Sequence, residues 1–365
     1  WRKNIHATAA FFGEAMQTCR TWLEGSFESD LLRALLAPWI LHTGLGTESS
    51  FSGLMGRLIP FTLEQVGMPL VKGGSYRLVE AFEKIIVEHG GELHHSTEVS
   101  RIKTQNGKAT GVETADGAAF NADRAVICNV TPTQLYQELL DPEEVGEDVL
   151  HQSRSYRYGR GDMQIHLALN EPPQWPSPEL GDVTMMHLTG GLDSISKAIN
   201  EADRGLLPES ATIVVAQPTA ADPSRAPDGK WILWIQLQEL PRVLRGDQRG
   251  DISIPADGRW TETVREAYAD RIIDRLAEQI PNLKGSIAGR RAFSPADLAT
   301  INVNLVGGDP YSGECSIDQF MFWRPLRATK GHRTPVGNLY HIGASTHPGP
   351  GLGGVSGYLV AKALS

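Results

Sequence analysis

Apolar residues recur every three or four positions through the first seventy residues, as in Phe11, Phe12, Ala15 and Met16 and again in Leu31, Leu32, Leu35 and Leu36, which is the spacing of one helical face. The segment 1–70 is therefore predicted to be helical. Its Gly44-Leu45-Gly46 opens like a dinucleotide fingerprint but runs on into Glu48 and Ser49 where that motif needs glycine, so it reads as a loop. Beyond Lys72-Gly73-Gly74, Ser75 is placed to cap a helix that carries Leu78, Val79, Phe82, Ile85 and Ile86 and stops at Gly90-Gly91. Three short strands follow, over 93–102, 109–114 and 118–120, parted by Asn106-Gly107 and Asp116-Gly117, dipeptides that favour tight hairpin turns. The run Arg124 to Cys128 reads as a buried strand ending at Asn129.

Further along, the period changes. Met163 to Leu169, Ala211 to Ala216 and Trp231 to Leu237 are strand-like, and alternate residues of Trp231 to Leu237 share one face. A mixed or antiparallel sheet follows from them, with the Pro/Asp/Gly-rich segment 218–229 as a connecting loop. Between Thr261 and Gln279 a helix brings Val264, Tyr268, Ile272 and Leu276 to one side, ready to cover that sheet, before Pro281 ends it. The chain closes with a strand, Asn338 to Ile342, a glycine loop from Gly343 to Gly354, and a helix from Val355 to Leu364.

Composition narrows the classes. With 365 residues, 41% hydrophobic and 21% charged, the chain is an ordinary globular protein long enough for two domains. A net charge of -9 and no Lys/Arg cluster leave no footprint for nucleic acid. Cys19, Cys128 and Cys315 are far apart and form no CxxC pair, so they are expected as free thiols in the cytoplasm or another reducing compartment. Adjacent residues of a strand face opposite ways, so His94 and His95 cannot chelate together. No HExxH occurs, and no metal site is expected. No stretch reaches the roughly 20 apolar residues that span a bilayer, which points to a soluble or peripheral protein.

Gly349-Pro350-Gly351-Leu352-Gly353-Gly354 satisfies G-x-G-x-x-G, but a dinucleotide fingerprint also needs a second strand with an acidic residue about 20 positions on. Only eleven residues follow Gly354. The loop is thus expected to complete a cofactor site and not to build one alone, presenting a helix N-terminus to a cofactor edge that gains negative charge.

Five segments carry a further reading: KGGSYRLVEAF (72–82), HGGELHHSTEVSRI (89–102), PTAADPSRAPDGK (218–230), GGDPYSGECSIDQFMFWRPL (307–326) and LYHIGASTHPGPGLGGVSG (339–357). In this order they resemble the phytoene-dehydrogenase-related FAD-dependent oxidoreductases, a group that includes phytoene desaturases, retinol saturases and pyridine-nucleotide-disulfide-oxidoreductase-domain proteins. The resemblance implies an α/β fold: an incomplete FAD/NAD(P)-binding, Rossmann-like domain with a β-meander, and an α+β substrate domain with a mixed sheet and helices. The expected parts are 1–70 (helical, substrate domain), 71–131 (FAD domain), 132–325 (substrate domain) and 326–365 (FAD domain). It implies FAD as cofactor, with Val99 at the adenine and Asn129, Val130 and Thr131 along the adenosine half. Gly343, Ala344 and Ser345 would follow the pyrophosphate and ribityl chain, and Gly353, Gly354 and Val355 the pyrimidine edge of the flavin. Gly73, Gly74, Gln319, Arg324 with Pro325, and Thr346 are implied around the substrate pocket, Arg324 equally as a structural partner. His347 is the one candidate for proton transfer, and no catalytic base is assigned.

The activity so implied is hydride transfer between a hydrophobic substrate, such as a polyene, a retinoid or another lipid, and the flavin. A flavin-dependent amine oxidase is the enzymatic alternative, and a cofactor-free binding or scaffold protein the other. The family opens with a unit of strand, GxGxxG, helix and acidic residue, and no segment of this sequence supplies that unit. Truncation of an N-terminal unit, or a complementary segment on another chain, is therefore the expectation. Peripheral membrane contact and a homo-oligomer stay open.

Overall fold

The computed structural model describes residues 4–329, 331–351 and 353–365. Trp1, which opens the first predicted part, and Leu352 of the glycine loop lie outside the described residues. The chain divides into two compact units, one comprising Trp1–Glu92 with Arg160–Leu298 and the other Leu93–Gly159 with Ala299–Ser365.

The first unit begins with helices Ile5–Ala15, Cys19–Ser26, Asp30–Leu36 and Ser52–Val66. Thr18 and Ser29 cap the second and third by accepting from Thr21 N–H and Leu32 N–H. A Cβ at Gly53 would lie 2.9 Å from the carbonyl oxygens of Gln17 and Thr18, so glycine lets helix Ser52–Val66 close on its neighbour. Helix Tyr76–Glu88 matches expectation in extent, but Ser75 makes no side-chain cap bond and none of the helix is buried. Its Val79, Phe82 and Ile85 stand in the open.

Five strands form the sheet of this unit in the order Ile287–Phe293, Gly161–Leu169, Trp231–Leu240, Ile213–Ala216, Met185–Leu188, with every neighbouring pair antiparallel. Alternation dictates the packing: Met163, Ile165, Leu167, Val215, Leu233 and Ile235 point one way. Helix Glu262–Ala277, capped by Thr261, covers that face with Val264, Tyr268, Ile272 and Leu276, as the sequence predicts. Burying each large apolar side chain of this kind contributes about 1.5–3 kcal/mol. The loop after Ala216 reaches back to the glycine pair: Gly73 N–H donates to Asp222 Oδ2 at 2.6 Å.

In the second unit the meander is Val99–Gln105, Lys108–Thr114 and Ala119–Asn121. Asn106 and Gly107 both have positive φ, 52° and 70°, the geometry that favours this dipeptide in a two-residue hairpin. His94 and His95 precede the strand beside a turn at Ser96 (φ 53°) and are not in it, against the expectation above. Strand Val126–Cys128 pairs in parallel with Leu339–His341. It departs from the buried strand predicted, since Ile127 is 47% exposed, although parallel strands are usually covered on both faces.

The domain boundaries also differ from those expected. Leu135, Tyr136, Val149, Tyr156 and Leu326 share one core with Ile102, Ala109 and Leu339, so residues 132–159 and 299–325 belong with the meander. The helix Tyr76–Glu88 falls in the first unit instead. Among the described residues no helix is long and apolar enough to cross a membrane, and no three His, Cys, Asp or Glu side chains are grouped to hold a metal.

Candidate functional site

The parallel pair in the second unit sets the site. Its two strands end side by side at Cys128 and His341, and both chains then turn into loops, Asn129–Thr131 and Gly343–Thr346. The carboxyl edge of parallel strands is where such folds bind ligands. A cavity of about 560 Å³ opens there, lined by Asn129, Gly343, Ala344, Gly353, Gly354 and Val355 among others. It is the size of an ordinary small-molecule site.

Backbone geometry explains the glycines. Gly343 has φ 100°, and a Cβ on it would lie 2.0 Å from Asn129 Oδ1, so no other residue fits without displacing that side chain. Gly354 takes the left-handed conformation (φ 62°) as the cap of terminal helix Val355–Leu364 and makes no side-chain cap bond. The first intrahelical bond from the cap is Tyr358 N–H to Gly354 C=O, which leaves the amides of 355–357 without intrahelical acceptors. The lining residues carry no charged side chain. Negative charge in this cavity is therefore met by backbone dipoles and the helix N-terminus.

Polar side chains beneath the cavity hold the loops in place. Ser345 Oγ donates to Val130 O at 3.1 Å, His341 Nε2 donates to the same oxygen at 2.6 Å, and Gly343 N–H donates to Ser356 Oγ at 3.1 Å. Full burial pushes His341 down to about 4, so the ring is neutral and its Nε2 carries the proton. Asn304 clamps the other loop by accepting from Thr131 N–H and donating to Asn129 C=O, both at 3.1 Å.

A second layer is built on Arg324, which is 3% exposed. Its guanidinium donates to the carbonyls of Ala344 (2.8 Å), Tyr311 (2.5 Å), Glu314 (3.3 Å) and Gly313 (3.4 Å). Asp309, fully buried, accepts from Gly159, Tyr311 and Gly313 N–H at 2.8 Å each. Burial raises the Asp309 pKa, opposed by those three amides and by Arg324. Arg324 ties residues 311–314 to the loop at Ala344, and Asp309 gathers the amides of the same segment.

The implied residues thus sort into two groups. Asn129, Gly343, Ala344, Gly353, Gly354 and Val355 meet on one cavity. Arg324 is consumed by carbonyls, which makes it a structural clamp and not a substrate ligand. Gln319 is likewise engaged, bonding Arg157 N–H and C=O at 3.0 and 2.7 Å. Thr346 is buried and donates to Gly343 O at 2.9 Å, and Ser345 and Thr131 lie under the surface. Val99 sits 37% exposed on the meander and does not line the cavity. His347 donates through Nδ1 to Met321 O (3.1 Å) and stacks on Phe322 (5.8 Å, 13°). Gly73 and Gly74 belong to the first unit.

Four contributors escaped the sequence reading: Asn304, Asp309, His341 and Ser356. Only Ser356 carried a signal, standing two residues after Gly354 at the start of a helix.

The cavity suits the edge of a planar cofactor that becomes anionic, with Gly343–Ala344 and Gly353–Val355 as the groups that would hold it. Comparison with known proteins identifies the family. Residues 11–361 match the family described as flavin containing amine oxidoreductase. A phytoene desaturase (lycopene-forming) from a Paracoccus species is 31% identical over 299 residues, which is 81% of this chain and 54% of that protein. Pyridine nucleotide-disulfide oxidoreductase domain-containing protein 2 of Rattus norvegicus is 26% identical over 352 residues, 92% of this chain and 58% of that protein. The chain therefore spans a little over half the length of these relatives. An oxidoreductase structure from Methanosarcina mazei superposes with a TM-score of 0.59 at 18% identity, covering 96% of this chain and 68% of that one, which shows a shared fold. FAD is the cofactor these likenesses support, and the glycine cradle, the fold and the match over nearly the whole length together make the chain a member of the flavin-containing amine oxidoreductase family.

Proposed function

We propose that this chain forms the substrate-binding and flavin-capping parts of an FAD-dependent dehydrogenase, desaturase or saturase acting on a hydrophobic substrate. The observation that carries this reading is the uncharged cavity in which Gly343–Ala344 and the N-terminus of helix Val355–Leu364 face one space. The flavin supplies hydride acceptance or donation. The chain's own groups orient it: Gly343 and Ala344 by close backbone approach, the amides of 355–357 by favouring the reduced, more anionic form. His347 Nε2 is the candidate for exchanging a proton with substrate.

The pyrophosphate and ribose require a nucleotide-binding unit that these residues do not contain. Two surfaces fit its cover, taken one by one: Ile127 on the open side of the parallel pair, and the apolar stripe of helix Tyr76–Glu88. Soluble proteins rarely leave contiguous apolar faces to water. The complementary segment would come from the same polypeptide or from a second chain.

Purified full-length protein, mixed anaerobically with polyenes, isoprenoids and primary amines while flavin absorbance is followed, tests the reading. Bleaching by an apolar polyene or isoprenoid supports it. Bleaching by an amine with peroxide release on re-oxidation replaces it with amine oxidation, and protein without flavin removes it.

A further inference from the structure

The five-stranded sheet has a second face, turned away from helix Glu262–Ala277. The register aligns His187, Val214, Gln236, Gln164 and Phe293 across it in one row. Met185, Ala216, Trp234, His166 and Arg291 form the next. A sheet face built for water carries charged side chains and threonines. Here one position in ten is charged, and that Arg291, on an edge strand, lies with its guanidinium 5.0 Å over the Phe293 ring. Gln164, His166, Trp234 and Gln236 are all half-buried.

Hydrogen bonding fixes how the two amides present themselves. Trp234 Nε1 can only donate, so the Gln164 atom it meets at 3.0 Å is the oxygen, and Gln164 turns its NH2 outward. Gln236 donates through Nε2 to Asp162 Oδ2 at 2.5 Å and keeps its carbonyl oxygen outward. Gln164 and Gln236 are direct cross-strand partners, side by side at about 5 Å between Cβ atoms. Neither outward group has a partner among the described residues. One donor and one acceptor, adjacent and unused, match a hydroxyl group, which accepts from the first and donates to the second.

The rest of the face says what that hydroxyl is attached to. Trp234, Met185, Ala216 and Phe293, all half-buried, offer apolar and aromatic surface, while Val214 is already covered. At the Met185–Leu188 edge, Trp39 and His42 close over His187, with ring centroids 4.8 Å (Trp39–His187) and 5.1 Å (His42–His187) apart and the two Nε2 atoms at 2.8 Å. No outward carboxylate awaits a cation, because Asp162 is 2% exposed and holds Gln236.

We propose that the substrate lies on this face and that Gln164 and Gln236 select an apolar molecule carrying a neutral hydroxyl group, over the hydrocarbon of the same skeleton and over the corresponding amine. Calling the ligand a substrate rests on the oxidoreductase reading above. The selection itself rests only on the sheet.

The test is equilibrium binding to full-length protein, read by tryptophan fluorescence in one detergent, of geranylgeraniol, its deoxygenated hydrocarbon and geranylgeranylamine. The alcohol is expected to bind roughly tenfold tighter or more than either, since leaving the two amides unmet costs a factor of that order. The Gln164→Leu/Gln236→Leu double variant is expected to lose that advantage and keep hydrocarbon affinity. The Gln236→Leu single variant gives the same readout with half the change to the sheet. Equal or tighter binding of hydrocarbon or amine by the wild type overturns the proposal, as does an alcohol preference that survives in the variants. Flavin content of the same sample separates the two ideas: alcohol preference in flavin-free protein upholds the selection and defeats the oxidoreductase reading. Flavin-loaded protein that is bleached by the hydrocarbon and ignores the alcohol does the reverse.

Discussion

Replacing Glu239 with glutamine changes one proton in the middle of the first unit. Glu239 is the penultimate residue of the sheet's central strand, has no exposed surface, and accepts from Thr212 N–H at 2.7 Å and Thr212 O–H at 2.9 Å. Burial outweighs those two bonds and the fields of Arg160 and Arg275, lifting its pKa from 4.5 to about 7. The unfolded chain releases this proton near the ordinary glutamate value, so between about 4.5 and 7 the folded state holds one proton more. Stability from this group therefore falls as pH rises through that window and is level above it. At 1.36 kcal/mol per unit the loss comes to about 3 kcal/mol by about pH 8. Glutamine keeps both contacts, its oxygen accepting from the amide and its NH2 donating to Thr212 Oγ1. Glu239→Gln is expected to stabilise the protein by up to about 3 kcal/mol near pH 8 and by little near pH 5. Urea unfolding of both proteins at the two pH values measures it. An equal gain at both, or a loss at the higher pH, refutes the reasoning.

Other perturbations test the rest of the frame. Gly343→Ala puts a methyl against Asn129 Oδ1 at a backbone angle that favours glycine, and roughly tenfold weaker FAD binding is expected by fluorescence titration. Arg324→Met leaves four backbone carbonyls without their donor, with an expected cost of about 3 kcal/mol in unfolding free energy and a lower thermal midpoint. Burial holds His42 at about 4 and His187 at about 3, whereas the unfolded imidazoles charge near the ordinary value of about 6.5. Stability is thus expected to fall as pH drops from about 6.5 toward 4, and His187→Phe to remove about one proton from that slope in a series of thermal midpoints.

Much of this was legible wherever a local pattern had a single physical outcome. Asn106-Gly107 made a hairpin turn and Val355–Leu364 a helix because both depend on nearby residues alone. The strand Trp231–Leu240 revealed its alternation, and with it the two faces that give the sheet a core side and an amide side. Strand Ile287–Phe293 went unseen, since Arg290 and Arg291 break the apolar period at an edge where water can take them. Ser75 failed as a cap because its backbone is already helical. Arg324 and Asp309 could not be paired from sequence: their partners are carbonyls and amides up to 150 residues away, groups every residue carries. Ile127 looked like a core residue because its neighbours are apolar, and it stands exposed because, among the described residues, the sheet face it occupies is left uncovered.

The FAD content of the purified full-length polypeptide tests the account most directly. A yellow protein that releases stoichiometric FAD on denaturation, and that loses most of it with Gly343→Ala while keeping its circular dichroism, is the expected result. A colourless protein that takes up no FAD on titration, or a Gly343→Ala variant that holds FAD as tightly as the parent, contradicts a flavin seated between the glycine loop and the terminal helix.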